Sequence, residues 1–402
     1  MLRPLLSAFA TVPLLAQTVH TVGGGGFAQI QDAILAAAPG DVIEVQTGNY
    51  HPFVLDKALT IRAVAGARVV VLPFMNQPTR IRPPVGTVAA IARIEFLNPW
   101  IFLAAPTRVE RGTTWFEDCV FESPRLFGHG GLAVDHAAVA LRGCLLAGFG
   151  IGSTTIGDAN PGLLADGADV LAADCICIGS YAVSDSLSGG AGVLAYDSSL
   201  HFVRCEVYGG DHLPPLAFLP PGPGIETAGA CRLWLADCFV EGGTSYSGIA
   251  GAGVVHGGTV PLQLARTTIL GGPGLNQGTP GPAIVGPSQP APLLGLDVDP
   301  TPIVRGSAFA LAFRTEPNWP VAVVLATGLG PLAVPELAQP AGVLPATSSL
   351  LALQLADPTG AAPFQTAIPP GPALLGARLF VAAVAGASLP LQTSPPVGGL
   401  VW

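Results

Sequence analysis

Acidic residues and one histidine lie in Gly-rich segments near the middle of this 402-residue chain. The candidates for catalysis are Asp185, Asp211, His212 and Glu241, which we expect on surface loops. Two carboxylates at a suitable separation can hydrolyse a glycosidic bond, one as the acid and the other as the base or nucleophile. A Ca²⁺-dependent lyase would instead need clustered carboxylates for the metal and a base for the substrate proton. Solvated loop charges without a catalytic role are the simpler interpretation.

A second group of residues is suited to holding a sugar. His201, Trp234 and Gln263 are expected to point outward from successive repeats, in the same column as Trp115. Flat aromatic rings beside polar groups suit sugars, because they combine apolar stacking with hydrogen bonding. Arg204 lies beside this column and completes the predicted substrate-binding set. The alternative is that loops or the C-terminal domain cover these residues, and the sequence does not decide between the two.

These candidates must be positioned by a repeat that is anchored by cysteine. Cys144, Cys175, Cys205, Cys238 and Thr267 are separated by 31, 30, 33 and 29 residues. Around each anchor, apolar residues alternate, skip two positions and alternate again. Alternation with period two indicates strands, and the skip indicates a sharp corner between two strands. A chain that repeats this pattern stacks coils, so the sequence predicts a solenoid of parallel β-strands.

The seven cysteines would ordinarily suggest disulfides in an exported protein. However, Cys119 and the four cysteine anchors share one inward position in successive coils. Side chains in register point the same way, whereas bridged Cβ atoms must approach to ~3.8 Å. We therefore expect buried free thiols that behave as small hydrophobic side chains. Cys175 and Cys177 have the wrong spacing for a zinc site and lack a second pair.

The N-terminal part of the chain combines one helix with several strand signals. Phe27, Ile30, Ile34 and Ala37 are spaced as one face of a helix, which Pro39 ends. We expect this helix to cap the open end of the solenoid, where strand edges and apolar side chains would otherwise be exposed. The next signals are a Gly40–Asp41 turn, a strand at 42–45 and a turn at Gly48–Asn49–Tyr50.

This order of signals resembles the opening of pectin-lyase-like right-handed parallel β-helix proteins, and the resemblance extends over roughly residues 20 to 290. The family includes lyases, hydrolases, esterases, epimerases, phage tailspikes and non-enzymes, so the resemblance implies a fold rather than one activity. Gly128-His129-Gly130 is similar to a polygalacturonase motif, but the acidic motifs that should precede it are absent. By analogy with pectate lyases, Arg204 and Arg232 are candidates for an arginine base.

Composition divides the chain into three segments. Residues 1–17 have a short positive region, an apolar stretch and small residues, which is the layout of a secretory signal peptide. Residues 18–286 are assigned to the β-helix. Prolines after Gly286 mark a linker, and 287–402 contain short apolar strands that predict a small C-terminal β-sandwich-like domain. We therefore expect a secreted or cell-surface protein.

Charge and hydropathy exclude some partners and leave two functions open. The net charge is −9 and Lys57 is the only lysine, so nucleic acid is not an expected partner. No segment after the leader has the length and apolar character of a membrane span. One function is non-catalytic binding of an extracellular polysaccharide or cell-surface glycan. The alternative is a polysaccharide lyase or glycoside hydrolase that acts on an acidic glycan at the outward face, without a cofactor except Ca²⁺ in a lyase.

Overall fold

The computed structural model describes residues 18–73, 77–97, 107–122, 130–148, 160–181, 189–212, 220–290, 295–298, 306–326, 329–332, 341–343, 348–368, 370, 378–389, 391–394 and 397–400. Within these ranges the chain forms a parallel β-helix, followed by a small domain of antiparallel sheets. The predicted fold class is confirmed. The predicted signal peptide lies outside the described residues, so its assignment stays a prediction.

Three parallel sheets form the sides of the β-helix. Each full coil contributes one strand to every sheet, and the first sheet has one further strand at either end, Val19–Val22 and Ser288–Pro290. The first sheet contains Val19–Val22, Val42–Val45, Thr60–Ala63, Val88–Ala92, Thr113–Glu117, Ala138–Arg142, Asp169–Ala173, Ser199–Val203, Arg232–Ala236, Leu262–Ala265 and Ser288–Pro290. The second sheet contains Gly48–Tyr50, Val69–Val71, Glu95–Phe96, Val120–Glu122, Leu145–Ala147, Ile176–Ile178, Glu206–Tyr208, Phe239–Glu241 and Thr268–Leu270. The third sheet contains Val54–Leu55, Arg80–Ile81, Thr107–Val109, Leu132–Asp135, Leu163–Asp166, Val193–Tyr196, Ile225–Ala228, Val254–His256 and Ile284–Val285.

The interior of the β-helix is filled by columns of like side chains, because equivalent positions of successive coils pair in register. Leu200 pairs with Leu233, for example, and Val207 with Val240. All four are buried in one continuous apolar core. Alternation along each strand therefore sends one set of side chains inward and leaves the other set to define the outward faces.

The corner between the first and second sheets has an unusual backbone conformation, and the side chain that follows it donates a hydrogen bond to a backbone carbonyl. Arg204 and Asp237 at this corner have φ values of 49° and 55°, in the left-handed region that non-Gly residues rarely occupy. The next residue is the cysteine anchor, and the Cys205 thiol donates to the carbonyl of Val203, 3.3 Å away. At the equivalent position, the Thr267 hydroxyl donates to the Ala265 carbonyl, 3.0 Å away. A small side chain with a hydrogen-bond donor therefore fits the corner, which explains the interchange of Cys and Thr.

All seven cysteines are buried and free, as expected from their positions. Five of them form the predicted internal column and belong to the apolar core of the β-helix. The side chains are Cys119, Cys144, Cys175, Cys205 and Cys238.

The predicted cap is the helix Ile30–Ala36, which buries Ile30, Ala33 and Ile34 against the first coil. Lys57 closes its C-terminal end, because Nζ donates to the carbonyls of Ile34 at 2.8 Å and Ala37 at 2.8 Å. A cation at this end also complements the negative pole of the helix dipole.

The turn after the cap helix is organised by Asp41. Burial acts to raise its pKa, but hydrogen bonds from His20 and from the N–H groups of Ala38 and Thr18 outweigh it, so that the pKa is lowered. The carboxylate therefore stays charged and holds the first strand against the turn.

The C-terminal domain consists of two packed antiparallel sheets in its described part. The smaller sheet contains Gly295–Val298, Ala308–Arg314 and Ala361–Ala367. The larger sheet contains Ser348–Leu355, Pro320–Ala326, Arg378–Ala385 and Gln392–Thr393, with Val397–Leu400 also paired to Arg378–Ala385. Phe309, Phe313, Val321 and Val381 fill the space between them. A separate pair joins Leu329–Leu332 and Ala341–Val343.

The junction between the two domains follows the last coil. Ser288–Pro290 pairs in parallel with Leu262–Ala265, so the hydrogen-bonded β-helix reaches four residues beyond the predicted limit at 286. The predicted division of the chain into 18–286 and 287–402 stays a prediction.

Candidate functional site

The outward column of the first sheet places His201, Trp234 and Gln263 on consecutive coils. His201 pairs with Trp234 and Trp234 with Gln263. The His201 and Trp234 rings lie 6.2 Å apart between centroids. This is the predicted arrangement, but the two rings are buried, with 2% of His201 and 6% of Trp234 exposed.

Burial changes the chemistry of His201. Its two ring nitrogens have no hydrogen-bond partner among the described residues. Desolvation lowers the pKa of His201 to about 4, so the ring is neutral at ordinary pH. In this arrangement neither ring is open to a sugar, and the substrate-binding role of the column stays a prediction.

The C-terminal domain covers the earlier coils of this same sheet. Trp115, in the column of His201, packs against Phe380 with ring centroids 4.9 Å apart. Ala140 and Leu171 of the β-helix and Ala326 of the C-terminal domain belong to the same buried cluster. The sequence left open whether this column is exposed or is covered by loops or the C-terminal domain. At Trp115, the structure shows that the C-terminal domain covers it.

Arg204 is occupied by a neighbouring carboxylate at the corner. Its Nε lies 2.8 Å from Asp174 Oδ1 and its Nη2 lies 2.6 Å from Asp174 Oδ2, a bidentate ion pair between adjacent coils. Arg266 and Asp237 form a similar pair, with Nε 2.7 Å from Oδ1. A guanidinium held this way is positioned rather than free to move toward a substrate, so the binding role of Arg204 stays a prediction.

The structure describes three of the four catalytic candidates. Asp185 lies outside the described residues. Asp211 accepts a hydrogen bond from the N–H of Thr244 at 2.7 Å, which fixes the start of the neighbouring loop. His212 is buried, with 2% exposed. Glu241 ends the strand Phe239–Glu241 rather than lying in the following loop, and its catalytic role stays a prediction.

The outward face of the second sheet carries a different group of residues. Tyr208 pairs with Glu241, and Glu206 pairs with Phe239 on the adjacent coil. The Tyr208 and Phe239 rings are 5.8 Å apart between centroids with their planes at 48°. Glu206 is exposed and the other three are half-buried, so this aromatic pair is reached from solvent.

Together with partial burial, the carboxylates of Glu206 and Glu241 raise the pKa of Tyr208, which lies next to both of them. The Tyr208 hydroxyl donates to Glu206 Oε2 at 2.8 Å. Partial burial, this hydrogen bond and the negative charges of Glu206 and Glu241 raise the pKa of Tyr208 to about 12. The phenol therefore stays protonated and keeps one carboxylate oriented beside the rings.

Alternation after the cysteine anchor could have revealed this group from the sequence. Cys205 and Val207 point inward, so Glu206 and Tyr208 between and after them must point outward. The coil neighbours add apolar surface, since Ile176 and Leu270 are 38% and 43% exposed. We name these residues the second-sheet face: Ile176, Ile178, Glu206, Tyr208, Phe239, Glu241, Thr268 and Leu270.

A column of backbone hydrogen bonds closes the loops beside the second-sheet face. Most residues of this column are glycines, and the N–H of one residue donates to the carbonyl of another. The links, all 2.8–3.0 Å long, run from Asn160 through Ser180, Gly190, Gly210, Gly222, Gly243, Gly251, Gly272 and Gly281. A Cβ at Gly210 or Gly243 would overlap with a neighbouring carbonyl oxygen. Only glycine permits this approach at these two positions. We call the whole column of hydrogen-bonded residues the glycine neck.

Two of the loops form a small parallel sheet of their own. Ser245–Ile249 pairs with Gly274–Thr279, with an irregularity in the register. The N–H of His212 also donates to the Thr244 carbonyl at 3.1 Å. The glycine neck therefore holds ordered loops next to Glu241, rather than leaving them unattached.

Within the described residues, no group of three or more His, Cys, Asp or Glu side chains is placed to hold a metal ion. The expectation of calcium in a lyase is not tested by this. In the described part of the chain, no helix has the length and apolar character needed to cross a membrane.

Comparisons with known proteins add little beyond the fold. No model of a known protein family matches the chain, and no curated protein matches it. Pectate lyase Pel9A is similar at 13% identity, with 64% of this chain and 72% of that chain covered and a TM-score of 0.36. Tailspike protein 2 of Escherichia coli O157:H7 bacteriophage CAB120 is similar at 8% identity, with 91% and 65% covered and a TM-score of 0.31.

The mannuronan C-5 epimerase AlgE6 A-module of Azotobacter vinelandii has 11% identity, 65% and 93% coverage and a TM-score of 0.17. At these identities and scores the likenesses carry no argument about activity. The fold class rests on the strand pairing of the chain itself, which defines a parallel β-helix with three sheets.

Proposed function

We propose that this protein is secreted or displayed at the cell surface and binds polysaccharide without catalysis, through the second-sheet face. The observation that carries the proposal is the solvent-accessible pair of rings, Tyr208 and Phe239, bordered by Glu206 and Glu241. Rings present apolar surface to the C–H faces of sugars, and carboxylates accept hydrogen bonds from hydroxyl groups. The charge-poor leader of residues 1–17 supports export.

The charge of the face favours one class of glycan. Glu206 and Glu241 are both negative and the whole chain carries −9. A polymer of acidic sugars would bring like charges together, whereas a neutral polymer offers hydroxyl donors to both carboxylates. We therefore expect neutral glycans to bind more tightly than acidic ones at low salt.

The test is binding of the full chain to a panel of neutral and acidic polysaccharides, measured by affinity electrophoresis and calorimetry. The variant Y208S/F239S should lose binding at least tenfold, whereas Y208F should retain it because the ring remains. Tyr196 is an exposed tyrosine of the third sheet on the same coil, so Y196S is a matched control. Unchanged binding by Y208S/F239S would disprove the role of this face.

The enzymatic alternative is kept as an outcome of the same experiment. Two carboxylates, Glu206 and Glu241, flank Tyr208 on adjacent coils, and a carboxylate pair is what glycoside hydrolysis requires. Samples from the binding panel should be assayed for new reducing ends and for the absorbance of unsaturated uronates, with and without Ca²⁺. Product formation that is abolished by E206Q or E241Q would replace binding with catalysis as the function of the face.

A further inference from the structure

The larger sheet of the C-terminal domain ends in an open edge strand. Ser348–Leu355 pairs on one side with Pro320–Ala326, and no described strand pairs with its other side. Unpaired N–H and C=O groups along an exposed edge are a template for pairing with another strand. Natural edge strands are usually short, charged, bulged, interrupted by proline or covered. This eight-residue strand contains no charge and no proline, and its one irregularity lies in the pairing with Pro320–Ala326, opposite Val323 and Val324.

Leucines make the same edge apolar. Leu350, Leu353 and Leu355 are 64%, 71% and 68% exposed. Soluble proteins tolerate single exposed leucines, but three adjacent ones on one strand form a patch that is typical of an interaction site.

The patch continues a face that is already used for packing. Leu350 and Leu353 pair with Val324 and Ala322 of the neighbouring strand. Val324 packs into the cluster that joins the C-terminal domain to the β-helix, together with Phe380. The outer face of the larger sheet is therefore buried on one half, and the edge leucines extend it beyond that interface.

The lack of charge around this strand meets a requirement of a contact between two copies of the chain. Between Glu336 and Arg378 the only charged residue is Asp357, although the chain as a whole carries −9. A contact around a two-fold axis sets a patch against its own copy, so that any charge on the patch would meet its equal. A patch without charge avoids this repulsion, whereas a basic or acidic partner would find no complementary group here.

We propose that Ser348–Leu355 pairs with the same strand of a second copy of this chain, antiparallel across a two-fold axis. The pairing joins the two larger sheets into one continuous sheet and covers Leu350, Leu353 and Leu355 of both copies. The proposal does not depend on glycan binding, because the edge strand and the second-sheet face belong to different domains.

The experiment compares the mass of the full chain in solution with that of L353K, by light scattering after size exclusion at several concentrations. In the proposed dimer, a lysine at position 353 of each copy would place two positive charges near the two-fold axis. Lysine on an edge strand is also a common way in which natural proteins prevent pairing with another chain. We expect the unmodified protein to be a dimer and L353K to be a folded monomer. Amide exchange in Ser348–Leu355 should slow as the concentration of the unmodified protein rises.

Leu389 provides the matched control, because it is exposed by 65% in the same domain but lies outside the edge strand. L389K should remain a dimer. An unmodified protein that is monomeric at every concentration measured would overturn the proposal. So would a dimer that persists in L353K, since its interface would lie elsewhere.

Discussion

Trp115 of the β-helix and Phe380 of the C-terminal domain are in direct contact, with ring centroids 4.9 Å apart and planes inclined at 53°. Trp115 also donates from Nε1 to Glu117 Oε2 at 3.2 Å, so the ring is held from both sides. An inter-domain contact made of aromatic rings and alanines is characteristic of a fixed interface rather than of two independently moving domains.

The first prediction concerns this interface. F380A should destabilise the protein by about 3–5 kcal/mol, because a fully buried aromatic side chain leaves a cavity next to Trp115. Urea unfolding measured by circular dichroism would report the loss. L389A, at an exposed position of the same domain, should change the stability by less than about 0.5 kcal/mol. Equal stability of F380A and the unmodified protein would show that the two domains are not docked in this way.

The second prediction concerns the corner thiol. C205T should cost no more than about 1.5 kcal/mol, because threonine already donates to the corner carbonyl at position 267. C205D should cost more than about 4 kcal/mol, since it buries a carboxylate in a column of apolar side chains. Thermal unfolding distinguishes the two. A melting temperature of C205D equal to that of the unmodified protein would place residue 205 outside the core.

Cys and Thr at the corner show how far the sequence predicts this fold. The alternation and the two-residue skip identify strands, the corner and the inward side, because all three follow from local backbone geometry. The repeat length identifies stacking. The covered column of His201 and Trp234 could not be predicted in the same way, since alternation indicates that a side chain points outward but not what packs over it.

The second-sheet face is a similar case. Alternation shows that Glu206 and Tyr208, separated by a single inward residue, both point outward, but it does not show that they and Phe239 remain accessible to solvent. The glycine neck is a further example. Glycine is abundant in the chain, and its meaning at Gly210 and Gly243 depends on a carbonyl from another coil. Contacts of this kind are tertiary and leave no local pattern.

The third prediction is a pH dependence that originates at His201. Its pKa is near 6.5 in the unfolded chain and about 4 in the folded one, so the unfolded state binds the proton more readily. Folding stability should therefore fall as the pH drops below 6.5, and the loss should level off near pH 4 at about 3 kcal/mol. H201L should lose less stability than the unmodified protein over this window.

Urea titrations at several pH values between 7 and 4 measure this difference (the window follows from the two pKa values). H51Q, a substitution at an exposed histidine of the first coil, is the control and should follow the unmodified protein. Parallel stability curves for H201L and the unmodified protein would mean that His201 is reached by water in the folded state.

The fourth prediction concerns the end of the cap helix. K57M should destabilise the protein by about 1–3 kcal/mol, because the carbonyls of Ile34, Leu35 and Ala37 lose their charged donor. K57R keeps the charge and should restore part of the loss. Amide exchange in Ile30–Ala36 locates the effect, and no acceleration there in K57M would exclude a capping role.

The fifth prediction separates two roles of glycine. G243A should be severely destabilising, by more than about 4 kcal/mol, because the new Cβ would overlap with the Gly210 carbonyl oxygen and open the neck. G86A is the comparison, since a Cβ there meets nothing but the backbone has a φ of 79°. Its cost should be about 1–2 kcal/mol, from conformation alone. Equal melting temperatures of G243A and G86A would contradict the expected steric overlap at position 243.

The glycine neck also governs how this architecture can diversify. Each loop between neck residues begins and ends at two residues that are joined by a backbone hydrogen bond. A change in the length of the loop therefore does not alter the spacing of the coils above and below. Residues can be inserted, deleted or exchanged beyond the neck at the entropic cost of enlarging one closed loop, which grows only slowly with length. New surface residues can therefore be introduced beside the second-sheet face by changes in these loops, without a change in the stacked core.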